Sequence, residues 1–195
     1  MTAADCILGA ILAGCGCAHL VAEDCVARTY RSILTVPESG PCPPEIYSSE
    51  REFAVDLGGM TCAVPVQSDG DGAVILAGSR ARLFVSVANN ALEVRSARAY
   101  LDAIRQNLAQ DGFQAIEVED ETPVDLGGLR GVRRRTSFGC GTGEGRWVRD
   151  EVIAQPNGGG AIYAVTLIAP SAEYKPAIAL IHSIISSYRY LGPKE

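Results

Sequence analysis

The sequence predicts an α+β domain: an antiparallel sheet carrying two amphipathic helices. Three observations lead there. Short apolar runs recur between glycine-rich turns, as in an antiparallel meander. Residues 96–111 switch to a helical period, and residues 171–188 do so again after the last strand-like run.

The first strand-like runs are Met60–Val66 and Ala73–Ala77, separated by Ser68-Asp-Gly-Asp-Gly72, whose glycines permit the positive φ of a tight turn. The aspartates suggest a calcium loop, but the closing glutamate of an EF-hand is missing, so a hairpin turn is the better reading. Arg82–Val87 alternates Leu83 and Val85 with Phe84 and Ser86, which suits a central strand.

In the first helix Tyr100, Leu101, Ile104 and Leu108 share a face, Ser96 is placed to cap the N-terminus and Gly112 to end the helix. Phe113–Val118, Leu129–Phe138, Gly145–Gln155 and Ala161–Ala169 follow as strands. The closing helix sets Tyr174, Ile178, Ile181, Ile185 and Tyr188 in one stripe. Pro176 is tolerated only near its start, so an irregular first turn is expected. Val55-Asp-Leu-Gly-Gly59 recurs as Val124-Asp-Leu-Gly-Gly128, which reads as two similar turns and not as a repeat architecture.

With 17 basic and 23 acidic residues the formal charge is −6, which argues against a nucleic-acid surface. The excess is local: the first sixty residues hold eight acids against Arg28, Arg31 and Arg51. Seven cysteines are many for a reducing cytosol. Cys62 and Cys140 are candidates for a disulfide, and Cys17, Cys25 and Cys42 for another.

The opening run Cys6–His19 has three readings. Leu12-Ala13-Gly14-Cys15 fits a bacterial lipobox, in which small residues admit the peptidase and the Cys15 thiol accepts the lipid. Residues 6–14 are too short to span a bilayer and would serve as an export signal. Against this, residues 1–5 carry no Lys or Arg, whereas signal peptides normally begin positive. In the second reading Cys15, Cys17, His19 and Cys25 supply soft zinc ligands, without the paired knuckles of a zinc finger. In the third the run is a buried structural helix. Four prolines within residues 36–50 bias that stretch toward extended backbone. The division is therefore a signal at 1–14, a Cys/Pro-rich tether at 15–50 and a folded domain at 51–195.

No G-x-S-x-G, H-E-x-x-H or P-loop pattern is present, which lowers the expectation of the common hydrolases and nucleotide enzymes. Gly139-Cys-Gly-Thr-Gly-Glu-Gly145 resembles a phosphate cradle, but the segment after it alternates like a strand, so a hairpin loop is expected. Strand alternation places Arg134 opposite to Arg133 and Arg135, and Arg146 opposite to Arg149. If those strands pair, Arg133, Arg135, Arg146 and Arg149, with Trp147 as an anchor, form a candidate face for an acidic partner.

The order of elements, with Leu126-Gly-Gly-Leu-Arg-Gly-Val-Arg133 entering the meander and Tyr163-Ala-Val-Thr-Leu-Ile-Ala-Pro-Ser-Ala-Glu-Tyr174 leading into the last helix, resembles the PsbP-like superfamily. That superfamily includes the bacterial DcrB-type lipoproteins. The resemblance implies an α-β-α sandwich around a mainly antiparallel sheet, no enzymatic activity, no cofactor, and use as a docking module. The combined expectation is a lipid-anchored, protein-binding lipoprotein of the bacterial cell envelope, in a narrower form an immunity-type inhibitor. A cytosolic adaptor or secretion chaperone is the alternative, and a metal-dependent enzyme the third class.

Overall fold

A computed structural model of the chain describes residues 41–42, 44–48, 53–60, 62–63, 72–78, 80–89, 94–139, 145–156 and 160–192. Cys15, Cys17, His19, Cys25 and Cys140, with the loops at 64–71 and 140–144, lie outside the described residues, as does the side chain of Cys62.

The element order is β1 (Glu45–Ser48), β2 (Phe53–Asp56), β3 (Cys62–Ala63), β4 (Gly72–Leu76), β5 (Arg82–Asn89), α1 (Ala97–Gln110), β6 (Gln114–Leu126), β7 (Leu129–Gly139), β8 (Trp147–Ala154), β9 (Ala161–Pro170), α2 (Ser171–Ser187) and β10 (Arg189–Tyr190). Seven strands form one antiparallel sheet in the order β3-β4-β5-β9-β8-β7-β6. The other three form a small antiparallel sheet, β1-β2-β10.

Side-chain alternation splits the large sheet into two buried faces. On one face Leu83, Val85, Val87, Val152, Val165 and Leu167 pack beneath Ala177, Ile181 and Ile184 of α2. On the other, Phe138, Trp147 and Ile168 meet Leu108 of α1, and Ile153, Ile162 and Ala164 meet Ala97 and Leu101. The domain is thus an α-β-α sandwich with one helix on each face, as the resemblance implies.

Local sequence sets the ends of α1. Ser96 is extended, and its Oγ accepts a bond from the Ala99 amide at 3.2 Å. At the other end Gly112 takes φ +90°, and the Phe113 amide returns to the Leu108 carbonyl. Phe113 therefore closes the helix instead of opening a strand, and its ring packs edge-on against Phe138 at 4.9 Å.

β6 runs to Leu126, well beyond the expected Val118, because its polar stretch pairs with the arginines of β7: Asp120 opposite Arg135, Glu121 opposite Arg134 and Thr122 opposite Arg133. It is an outer strand, and it carries two register shifts, several carboxylates and Pro123, features that resist edge-to-edge pairing.

α2 runs through Pro176 from Ser171, so no irregular first turn is seen. Its buried stripe is centred on Ala177, Ile181 and Ile184, with Tyr174, Ile178 and Ile185 half-buried beside it. Tyr188 has left the helix and turns the chain into β10.

The two Val-Asp-Leu-Gly-Gly copies both turn on their glycine pair, but they are not the similar turns expected: Gly59 alone has a positive φ in the first, whereas Gly127 and Gly128 both do in the second. The first aspartate accepts from the Gly58 amide at 2.8 Å and the second from the Gly128 amide at 2.7 Å, while Leu57 and Leu126 are fully buried. Together they bracket the C-terminal segment: Ser187 Oγ donates to the Asp56 carbonyl and the Tyr190 amide to the Gly127 carbonyl.

The domain also starts earlier than the expected boundary at residue 51. β1 pairs with β2 through Glu45–Asp56 to Ser48–Phe53, the Cys42 amide donates to the Met60 carbonyl at 2.9 Å, and Cys42 packs against the main core. β1 follows Pro44 directly, so residues 45–48 of the stretch expected as a tether form a strand.

Candidate functional site

Two polar layers flank β7 and β8, one on each face of the sheet. Their positions follow from the run Arg133-Arg134-Arg135, whose alternation sends the first and third side chains toward α2 and the second toward α1.

On the α2 face Asp150 is fully buried, and Arg133 grips it with two bonds, Nε to Oδ1 at 2.9 Å and Nη2 to Oδ2 at 2.7 Å. The Tyr174 hydroxyl donates to the same Oδ2 at 2.7 Å, and Arg135 bonds to Tyr174 and to Glu119, the latter at 2.9 Å. Arg133 Nη1 also lies 2.8 Å from His182 Nε2. A continuous chain of polar contacts therefore links Glu119, Arg135, Tyr174, Asp150, Arg133 and His182.

The electrostatics follow the contacts. The hydrogen bond to Asp150 raises the Arg133 pKa, outweighing burial. Burial first, and then the bond to Asp150, pushes the Tyr174 phenol up. Arg133 therefore stays charged and Tyr174 neutral near neutral pH, which suits a rigid surface.

On the α1 face Arg134 joins the helix to the sheet. It bonds Glu121 with Nε at 2.7 Å and Asp102 with Nη2 at 2.8 Å, while Arg98 of α1 reaches Glu121 at 2.6 Å. Burial opposes the ionisation of Glu121, but the bond and charge of Arg134, then those of Arg98, prevail and lower its pKa. Next along the sheet lies Glu151, 2% exposed and paired with Arg149. Burial dominates there and raises the Glu151 pKa despite Arg149. Tyr100 is also pushed up, mainly by burial.

The five residues expected to share a binding face are divided. Arg133 and Arg135 stand together on the α2 face. Arg146, at the entry to β8, bonds Glu117 at 2.8 Å and Ser137 Oγ at 2.6 Å. Arg149 lies under α1 with Glu151. Trp147 is 8% exposed and packed among Leu108, Phe113 and Phe138, with the Arg80 guanidinium 5.6 Å from its ring centroid, so it is a core residue and not an exposed anchor.

Asp150, Tyr174 and His182 complete the α2-face network without having been singled out from the sequence. Asp150 had one signal: it shares parity with Val152 and Ala154 on an inward face, where a carboxylate requires a partner. His182 offered none. Cys42 is disulfide-bonded, and it is the only cysteine whose side chain lies among the described residues. Among the described residues no group of His, Cys, Asp and Glu is arranged to hold a metal ion, and no helix is long and apolar enough to cross a membrane.

No protein-family model matches the chain, and no curated protein matches it in sequence. Solved structures do. The solution structure of cyanobacterial PsbP (CyanoP) from Synechocystis sp. PCC 6803 is similar with a TM-score of 0.53 at 13% identity, over 75% of this chain and 91% of that one. The Saccharomyces cerevisiae Ran-binding protein Mog1p is similar with a TM-score of 0.55 at 9% identity, over 80% of this chain and 97% of that one. At such identities the likeness is one of fold, and the chain has the α-β-α sandwich fold of PsbP and Mog1p.

Proposed function

We propose that this chain is a non-catalytic protein-binding module, held at the bacterial cell envelope by a lipid on Cys15, in the manner of the DcrB-type lipoproteins. The observation that carries the reading is how the charged groups are used. Arg133, Arg134, Arg135, Arg146 and Arg149 are each paired with a carboxylate of the same chain. Side chains tied into such pairs give a stiff, patterned surface, which favours recognition over proton transfer. The disulfide at Cys42 agrees with an oxidising compartment. The same fold serves a Ran-binding protein, Mog1p. An immunity-type inhibitor is the narrower form of the reading, with the bound partner being a toxin.

The test is metabolic labelling with a palmitate analogue, followed by cell fractionation and crosslinking in intact bacteria. The reading expects label on the native chain, none on Cys15→Ser, and a crosslinked adduct from the membrane fraction. A soluble, unlabelled protein would support the cytosolic adaptor instead.

A further inference from the structure

The layer on the α1 side of the sheet contains a row of polar side chains in direct cross-strand register. Arg134 of β7 stands opposite Glu151 of β8, and Glu151 stands opposite Thr166 of β9. Directly paired residues share one face of a sheet, so all three side chains rise on the side of Arg134, toward α1. All three are buried, with exposures of 4%, 2% and 1%.

The ion pairs of this layer pull the row apart. Arg134 turns its Nε and Nη2 edge to Glu121 and Asp102. That leaves Nη1 on the other edge of the guanidinium, buried and with no hydrogen-bond partner among the described residues. Glu151 reaches along its own strand, where its Oε2 accepts from Arg149 Nε. Thr166, its neighbour on β9, has a buried Oγ1 that likewise lacks a partner among the described residues. A buried polar atom left unbonded is costly, most of all on a charged group, and folded proteins meet such atoms with ordered water.

We infer that this layer is a binding site for internal water, with one molecule on Arg134 Nη1 and one on Thr166 Oγ1, on either side of Glu151. Cross-strand neighbours stand about 4.5–5.5 Å apart at Cβ, within reach of a single bridging water. The Glu151 carboxyl between them is therefore placed to give each water its second bond. The set comprises a guanidinium donor, a hydroxyl that gives or accepts, and a carboxyl, so it suits a small ligand that both donates and accepts. A halide only accepts, and it would stand against the carboxyl.

The experiment compares the purified full chain with Thr166→Val, which keeps the branched shape and removes the hydroxyl. Oxygen-17 relaxation dispersion counts long-lived waters, and urea unfolding reads stability. Thr166→Val is expected to lose a long-lived water and to unfold at lower urea, because the water loses a partner. An unbonded hydroxyl gives the opposite sign, a raised urea midpoint, and that result would overturn the inference. An unchanged water count would do the same, since the hydroxyl is then bonded within the chain. A crystal structure of the unsubstituted chain makes the test independent of the variant. Water density is expected at about 2.7–3.2 Å from both Arg134 Nη1 and Thr166 Oγ1. A protein group in either position, or bromide found there after a soak, would overturn the assignment.

Discussion

Arg133 holds the fully buried carboxylate of Asp150 by two parallel hydrogen bonds, and Tyr174 of α2 donates a third. Removing one member of such a pair leaves a charge without its partner in an apolar interior. Arg133→Met and Asp150→Leu are each expected to lower the unfolding free energy by roughly 3 to 5 kcal/mol. The double substitution should lose less than the sum of the two, and urea unfolding of the full cycle measures this.

Gly127 and Gly128 form the β6–β7 turn, with φ values of +64° and +98°. A Cβ on Gly127 would lie 2.6 Å from the Tyr190 amide, whereas one on Gly128 meets nothing within 4 Å. Gly128→Ala should cost only the backbone penalty, about 1 to 2 kcal/mol. Gly127→Ala should cost more and loosen β10, seen as faster amide exchange at Tyr190.

Glu151 gives the fold a pH dependence opposite to that of an ordinary surface carboxylate. Burial raises its folded pKa, so the folded state holds its proton more tightly than the unfolded chain. Its contribution is present below the unfolded value of about 4.3 and is lost as pH rises through the raised folded value. Glu121 has the reverse sign: its lowered pKa contributes stability above the unfolded value, which is lost on acidification. Glu151→Gln should therefore flatten the decline in stability on going from mildly acidic to neutral pH, measured by thermal unfolding across a buffer series.

Trp147 is the single tryptophan, buried under α1 and covered by Arg80. Its emission should be blue-shifted and poorly quenched by acrylamide in the native state. Leu108→Ala, which opens the cluster around it, should red-shift the emission and cost about 2 to 5 kcal/mol.

The sequence made the helices legible because their signals are local. Ser96, Gly112 and the stripe from Leu101 to Leu108 are all contained within α1, and the observed ends agree with them. β6 was legible only in part, since its hydrophilic run Glu117–Thr122 becomes a strand through partners on β7, a long-range cause that periodicity does not carry. The prolines near β1 misled for a related reason: extended backbone serves a tether and an outer strand equally. For the candidate site, alternation separated Arg134 from Arg133 and Arg135. Which helix faces which arginine, and that Asp150 and His182 join them, depended on packing across the sheet.

The central claim is that a binding domain is attached to a membrane by a lipid on Cys15. Intact mass of the protein extracted from bacterial membranes tests it most directly. The account predicts a chain that begins at Cys15 and carries the added mass of a diacylglycerol. A chain that retains residues 1–14 with an unmodified Cys15 would contradict it.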